Sequence, residues 1–111
     1  MASDVAEYSV VDNSAAERFE IFAGDELVGF TLYKRRRGLI AFVHTEIEPE
    51  FEGHGVASKL ISTALDTARS EGLVVLPFCP FVRGYIEKHH EYQDLVPAEY
   101  REQFDLPAAA P

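Results

Sequence analysis

Apolar positions along this chain change their period twice. Up to Ile47 they fall in short runs, several of which alternate with polar residues, the two-residue period of a strand with one buried face. From Ala57 to Ala68 they recur at three- and four-residue steps, the period of an amphipathic helix, and from Leu73 to Phe78 they run unbroken. The alternating part divides into short strands. Tyr8 to Asn13 is the first, followed by a turn rich in Ser and Ala. Arg18 to Ala23 sets Phe19 and Ile21 against Glu20 and Phe22, and Gly24-Asp25 turns it into a second arm, Glu26 to Lys34. In that arm Val28, Phe30 and Leu32 share one face. Lys34-Arg35-Arg36-Arg37-Gly38 reads as a further hairpin turn, a solvated run of cations, and Leu39 to Glu48 as the longest and most apolar strand. Consecutive strands joined by tight turns predict an antiparallel meander.

Glu48-Pro49-Glu50-Phe51 ends that meander. In the helix that follows, Ala57, Leu60, Ile61, Ala64, Leu65 and Ala68 form the stripe, and Gly72 stops it. Leu73 to Phe78 is then a buried strand, parallel to the one before the helix if the crossover takes its usual hand. Cys79-Pro80 ends it, and Phe81 to His90 forms a short second helix with Phe81, Tyr85 and His89 along one side. The expected fold class is α/β with a mixed sheet: a meander, then β-α-β, then a short C-terminal helix. Its ordered core runs from about residue 8 to 95, with 96–111, rich in Pro and Ala, as a partly ordered tail.

With 111 residues, 47% of them hydrophobic, the chain has the composition of one globular domain. A net charge of −9 argues against nucleic acid as a partner and mildly favours a basic one. The single cysteine, Cys79, excludes an internal disulfide and a cysteine-rich zinc site, and fits a cytoplasmic setting. No run approaches the twenty apolar residues of a membrane span, and the first residues lack the pattern of a signal peptide. His89-His90-Glu91 lacks the spacing of a metal site, so no metal is expected. A monomer or weak dimer is expected.

The chemistry centres on Glu52-Gly53-His54-Gly55-Val56-Ala57-Ser58-Lys59. Paired glycines let a backbone approach a ligand closely, and a helix that starts directly after them offers unpartnered amides and the positive end of its dipole. That combination suits a diphosphate. A dinucleotide fingerprint is one rival, but no acidic residue at or just beyond Leu73 to Phe78 can take a ribose hydroxyl. A nucleotide P-loop is another, and no Gly-Lys-Ser/Thr closes the turn.

The turn resembles the acetyl-coenzyme A signature of the GNAT acetyltransferases, Gln/Arg-x-x-Gly-x-Gly/Ala, with Glu52 in place of the usual Gln or Arg. Pro49 to Leu60 together with Pro77-Phe78-Cys79-Pro80-Phe81-Val82-Arg83-Gly84-Tyr85-Ile86 is similar, more narrowly, to the compact YjdJ-like branch. The resemblance implies a minimal GNAT fold whose two central parallel strands part around the cofactor. It implies that Gly53, His54, Gly55, Val56, Ala57, Ser58 and Lys59 cradle acetyl-coenzyme A, that Thr45, Glu46 and Ile47 lie beside its pantetheine arm, and that Arg83 and Lys88 meet its adenosine phosphates.

Three residues are candidates for the chemistry itself. His44, on the face of Ile40 and Phe42, is either a partly buried histidine bonded to a neighbour or a general base. Cys79 is either a small buried hydrophobe or a nucleophile that carries the acetyl group, activated by His44 or by the second helix's amino terminus. Tyr85 either packs or protonates the departing coenzyme A thiolate. The implied activity is transfer of acetyl to an amine, on a protein lysine or terminus or on a small amine. The alternative is a coenzyme A-binding sensor or interaction module with little turnover.

Overall fold

In a computed structural model, the structure describes residues 7–107. Five strands form one sheet in sequence order: β1 (Tyr8–Asn13), β2 (Arg18–Ala23), β3 (Glu26–Arg36), β4 (Leu39–Ile47) and β5 (Val74–Pro77). The first four pair antiparallel and β5 joins β4 in parallel, which is the expected meander followed by a β-α-β crossover. Between β4 and β5 runs α1 (Val56–Ser70), which buries Val56, Leu60, Ile61, Ala64, Leu65 and Ala68 against the sheet. The buried stripe starts one residue earlier than its period suggested, because Ala57 turns toward a cleft and Val56 takes the inward position.

Two bulges reset which side chains face the core. In β3, Leu27 pairs with Phe22 and Gly29 with Ile21, so Val28 has no partner and the alternation slips by one. Val28 is fully buried, but Thr31 and Tyr33 follow it inward while Phe30 and Leu32 turn to the other face. The expected Val28-Phe30-Leu32 face is therefore split. In β4, Leu32 pairs with His44 and Tyr33 with Phe42, leaving Val43 unmatched. Glu20, read on the face opposite Phe19 and Ile21, is buried, with hydrogen bonds from Arg18 at 2.6 Å and Asn13 at 3.0 Å. Burial opposes its ionisation, yet those two donors outweigh it and hold the carboxyl below its usual range.

The run of cations is less of a turn than expected. Strand β3 continues through Arg36, and Arg35 reaches Glu71 at the end of α1 at 2.7 Å. After β5 comes α2 (Pro80–Lys88), then a 3-10 segment, His90–Leu95, and the single turn α3 (Ala98–Arg101). In the segment past Leu95, read as a partly ordered extension, Val96, Phe104 and Leu106 are buried. Phe104 packs edge-on against Phe78 at 5.1 Å, and Arg101 ties the segment down by donating to the carbonyls of Val96 and Gln93. The expected frayed end, Ala108 to Pro111, lies outside the described residues.

Candidate functional site

The parallel ladder between β4 and β5 is short. It runs from Leu39 opposite Val74 to Phe42 opposite Pro77, and one further bond joins the Cys79 amide to the Phe42 carbonyl at 2.8 Å. After Pro77 the Phe78 amide turns back to the Leu76 carbonyl at 3.1 Å, and Pro80 sets the first turn of α2 and carries the chain away. Beyond Phe42 the edge of β4 has lost its neighbour. There a cleft of 590 Å³ opens, lined by Thr45, Ile47, Glu52, Gly53, Gly55, Ala57, Ser58 and Phe81.

The glycine turn forms one wall. Gly53 and Gly55 have φ of 84° and 77°, in the left-handed region that side-chain-bearing residues avoid. A Cβ added at either would meet nothing within 4 Å, so the space in front of the turn is left open by the protein itself. Gly55 is the N-cap of α1 and offers no side-chain oxygen to the amides behind it. Lys59 donates to the Gly55 carbonyl at 3.1 Å, while the amides of Val56, Ala57 and Ser58 precede any helical acceptor. Among the described residues no side chain caps them. Such amides, with the helix dipole behind them, favour an anion. Glu52, exposed at the same wall, opposes one.

Thr45 and Ile47 form the floor, with Thr31 and Cys79 behind it. Thr45 bonds Thr31 at 2.9 Å, its hydroxyl lies 3.3 Å from the Cys79 sulfur, and Thr31 and Cys79 are both buried. Ile47 is held close by Gly29, where a Cβ would fall 2.6 Å from the Ile47 methyl and 2.9 Å from the Glu46 carbonyl oxygen. That glycine carries no signal of its own in the sequence, since its reason lies on the neighbouring strand.

The remaining candidates are not gathered at this floor. The unmatched Val43 turns His44 away from Ile40 and Phe42, so its expected burial beside them does not occur. His44 is exposed, with its ring nitrogen 2.8 Å from Glu46, on the sheet face opposite Thr45. Its ring has no bond to Cys79, whose polar neighbour is Thr45 instead. Tyr85 lies on α2 along an adjoining groove, stacked on His89 at 4.0 Å, and its phenol is pushed up by burial, against the acidifying contact with Ser62. Arg83 is engaged by the Phe104 carbonyl at 3.2 Å and Glu87 at 2.8 Å and does not line the cleft. Lys88 lines the adjoining groove, and His54 and Lys59 are exposed around the start of α1. Phe81 is a lining residue that sequence reasoning treated only as part of a helix face. It is 47% exposed, too open for a core aromatic.

The free amides, the glycines whose missing Cβ atoms leave the turn open, and the parted strands together fit a coenzyme A diphosphate with its pantetheine arm. No helix among the described residues is long and apolar enough to cross a membrane. Among curated proteins no relative of the chain is found. Among solved structures, Ard1 from Thermoplasma volcanium superposes with a TM-score of 0.48 at 21% identity, over 53% of this chain and 41% of that one. The family model for GCN5-related N-acetyl-transferase matches residues 18–95, from β2 to the end of the 3-10 segment, and so takes in the whole cleft. On that match, the chain belongs to the GCN5-related N-acetyltransferase family.

Proposed function

We propose that this chain, as a compact YjdJ-like member of its family, moves an acetyl group from acetyl-coenzyme A to an amine. The observation that carries the reading is the parting of β4 from β5 directly in front of the free amides of α1. Those amides hold the diphosphate, with His54 and Lys59 beside them, and Thr45, Glu46 and Ile47 flank the pantetheine arm along the freed edge of β4. Acetyl-coenzyme A supplies an activated acyl group as a thioester.

The acceptor amine approaches from the sheet face that carries His44 and Glu46. His44, with one ring nitrogen held by Glu46, takes the proton that the amine loses as its new bond to the acyl carbon forms. The carbon–sulfur bond breaks, and the departing thiolate takes up a proton from solvent in the open cleft. Cys79 is 3% exposed behind Thr45, which favours direct attack over passage of the acetyl group through its sulfur. An open face and a surplus of acid suit a cationic acceptor, either a protein lysine or terminus or a small amine. A free, reduced Cys79 accords with a cytoplasmic setting.

A second reading, a coenzyme A-binding module with little turnover, draws support from Glu52, which sets a carboxylate beside the diphosphate site. Release of coenzyme A from acetyl-coenzyme A, measured against a panel of amines, separates the two. Acceptor-dependent release is expected; tight binding without it would leave the module. Cys79→Ala should retain most of the rate, and an acetylated Cys79 seen by mass spectrometry after brief mixing would overturn direct attack.

A further inference from the structure

A pocket of 180 Å³ opens where the end of β4 pairs with the start of β3. Phe30 lines it from the sheet face turned away from the core, opposite Glu46 in the register and 6.4 Å from the His44 ring. The pocket therefore lies beside the His44–Glu46 pair, and it shares only Ile47 with the lining of the 590 Å³ cleft. Its walls combine two chemistries. Leu27, Phe30 and Pro49 are apolar, while Glu46 and Glu48 bring exposed carboxylates. The Glu48 amide donates to the Val28 carbonyl at 2.8 Å, which fixes that residue in place. Among the described residues Glu48 has no cationic partner, and the partner of Glu46 is His44, which is neutral whenever it serves as a base. The Arg18 guanidinium, 4.6 Å from the Phe30 centroid, is already engaged by Glu20 at 2.6 Å.

Apolar walls beside two carboxylates fit an aliphatic arm that ends in a cation, and the space, about that of six waters, suits a short one. The arm cannot be the reacting group itself. An amine attacks only when unprotonated, whereas two carboxylates hold an amine in its charged form. We infer that this pocket selects the acceptor by taking the second cationic centre of an amine that carries two, joined by a short aliphatic chain, while the first reaches His44. Leu27 and Phe30 lie along the methylenes, and Glu48 holds the far ammonium together with Glu46. The inference rests on the acetyl-transfer reading above and narrows its acceptor from amines in general to dications.

Coenzyme A release by the full chain, measured with linear diamines of three to six carbons and with monoamines of matched length, tests it. Two exposed ion pairs should raise kcat/KM for the best diamine by about three- to thirtyfold over its monoamine, mostly through KM. The advantage should shrink as salt is added. Glu48→Gln should cut it by about two- to fivefold, and Glu48→Asp, which keeps the charge, should retain most of it. Coenzyme A affinity, measured by calorimetry on both variants, shows that each is folded, since the pocket lies outside the cofactor cleft. A peptide with a second lysine beside the acceptor lysine, set against one with alanine there, distinguishes the sources of the second cation. A preference confined to the peptides assigns it to a protein, and one for free diamines to a small molecule. No advantage in either comparison, or one that Glu48→Gln leaves intact, would overturn the inference while transfer to amines still stood. If no amine promotes release, the transfer reading falls and the inference with it.

Discussion

Strand β4 is one strand in two environments. From Leu39 to Phe42 it is paired on both edges, and Ile40 and Phe42 are 2% and 1% exposed. From Val43 to Ile47 it keeps β3 alone, and its other edge faces a cleft. The halves also differ in kind, Leu39 to Phe42 being wholly apolar while Val43 to Ile47 carries His44, Thr45 and Glu46. What separates their surroundings is the neighbouring strand, which turns away into α2 after Pro77, and the unmatched Val43, which re-aims every side chain after it. The closed half holds the domain together, and the open half leaves backbone and hydroxyl groups where a ligand can use them.

This division can be broken from either side. Phe42 packs between Phe19 at 6.4 Å and Tyr33 at 6.5 Å, so Phe42→Ala should cost about 3–5 kcal/mol of stability. Urea unfolding measures it, and a loss under about 1 kcal/mol would mean that the closed half is not the stabilising one. Gly55→Ala forces a side chain into the left-handed region and re-aims the amides behind it. Coenzyme A affinity should fall by about 10- to 100-fold with only a modest change in melting temperature. Unchanged affinity would detach the glycine turn from the ligand.

Thr45 sits in the open half but supports both. Thr45→Val leaves the fully buried Thr31 hydroxyl without its partner and should destabilise by about 1–2 kcal/mol. Adding Thr31→Val should recover part of that loss, because both polar groups are then gone. If the double variant is no better than the single one, the hydroxyl pair is not what holds the floor. The smallest effect expected is at Glu52. Glu52→Gln removes a carboxylate from the diphosphate wall and should tighten coenzyme A binding by about two- to fivefold at low salt, the gain fading as ionic strength rises. A salt-independent change, or weaker binding, would place Glu52 outside the diphosphate's field.

Much of the fold could be read before any coordinates. Alternation gave the meander, including Tyr8–Asn13, and the three- and four-residue steps gave α1, because both periods are local consequences of burying one face. Glu20 was read on the face opposite Phe19 and Ile21 and the segment past Leu95 as partly ordered, since nothing local tells a lone acid that Arg18 and Asn13 will bond it, or a Pro-bounded tail that Phe78 will hold it. At the site, the glycine turn was legible from its spacing. The partners of His44, Arg83 and Tyr85 were not, because each is met across elements or through a slip in register.

By itself, then, the sequence determined the elements, their order and the turn that can hold a diphosphate, all set by neighbours a few residues apart. Only the tertiary structure decided which side of the sheet His44 faces, that Thr45 rather than His44 meets Cys79, and where the ladder of β4 ends. Those outcomes depend on a bulge, which is defined only against the opposing strand, and on where the neighbouring strand turns away into the next helix.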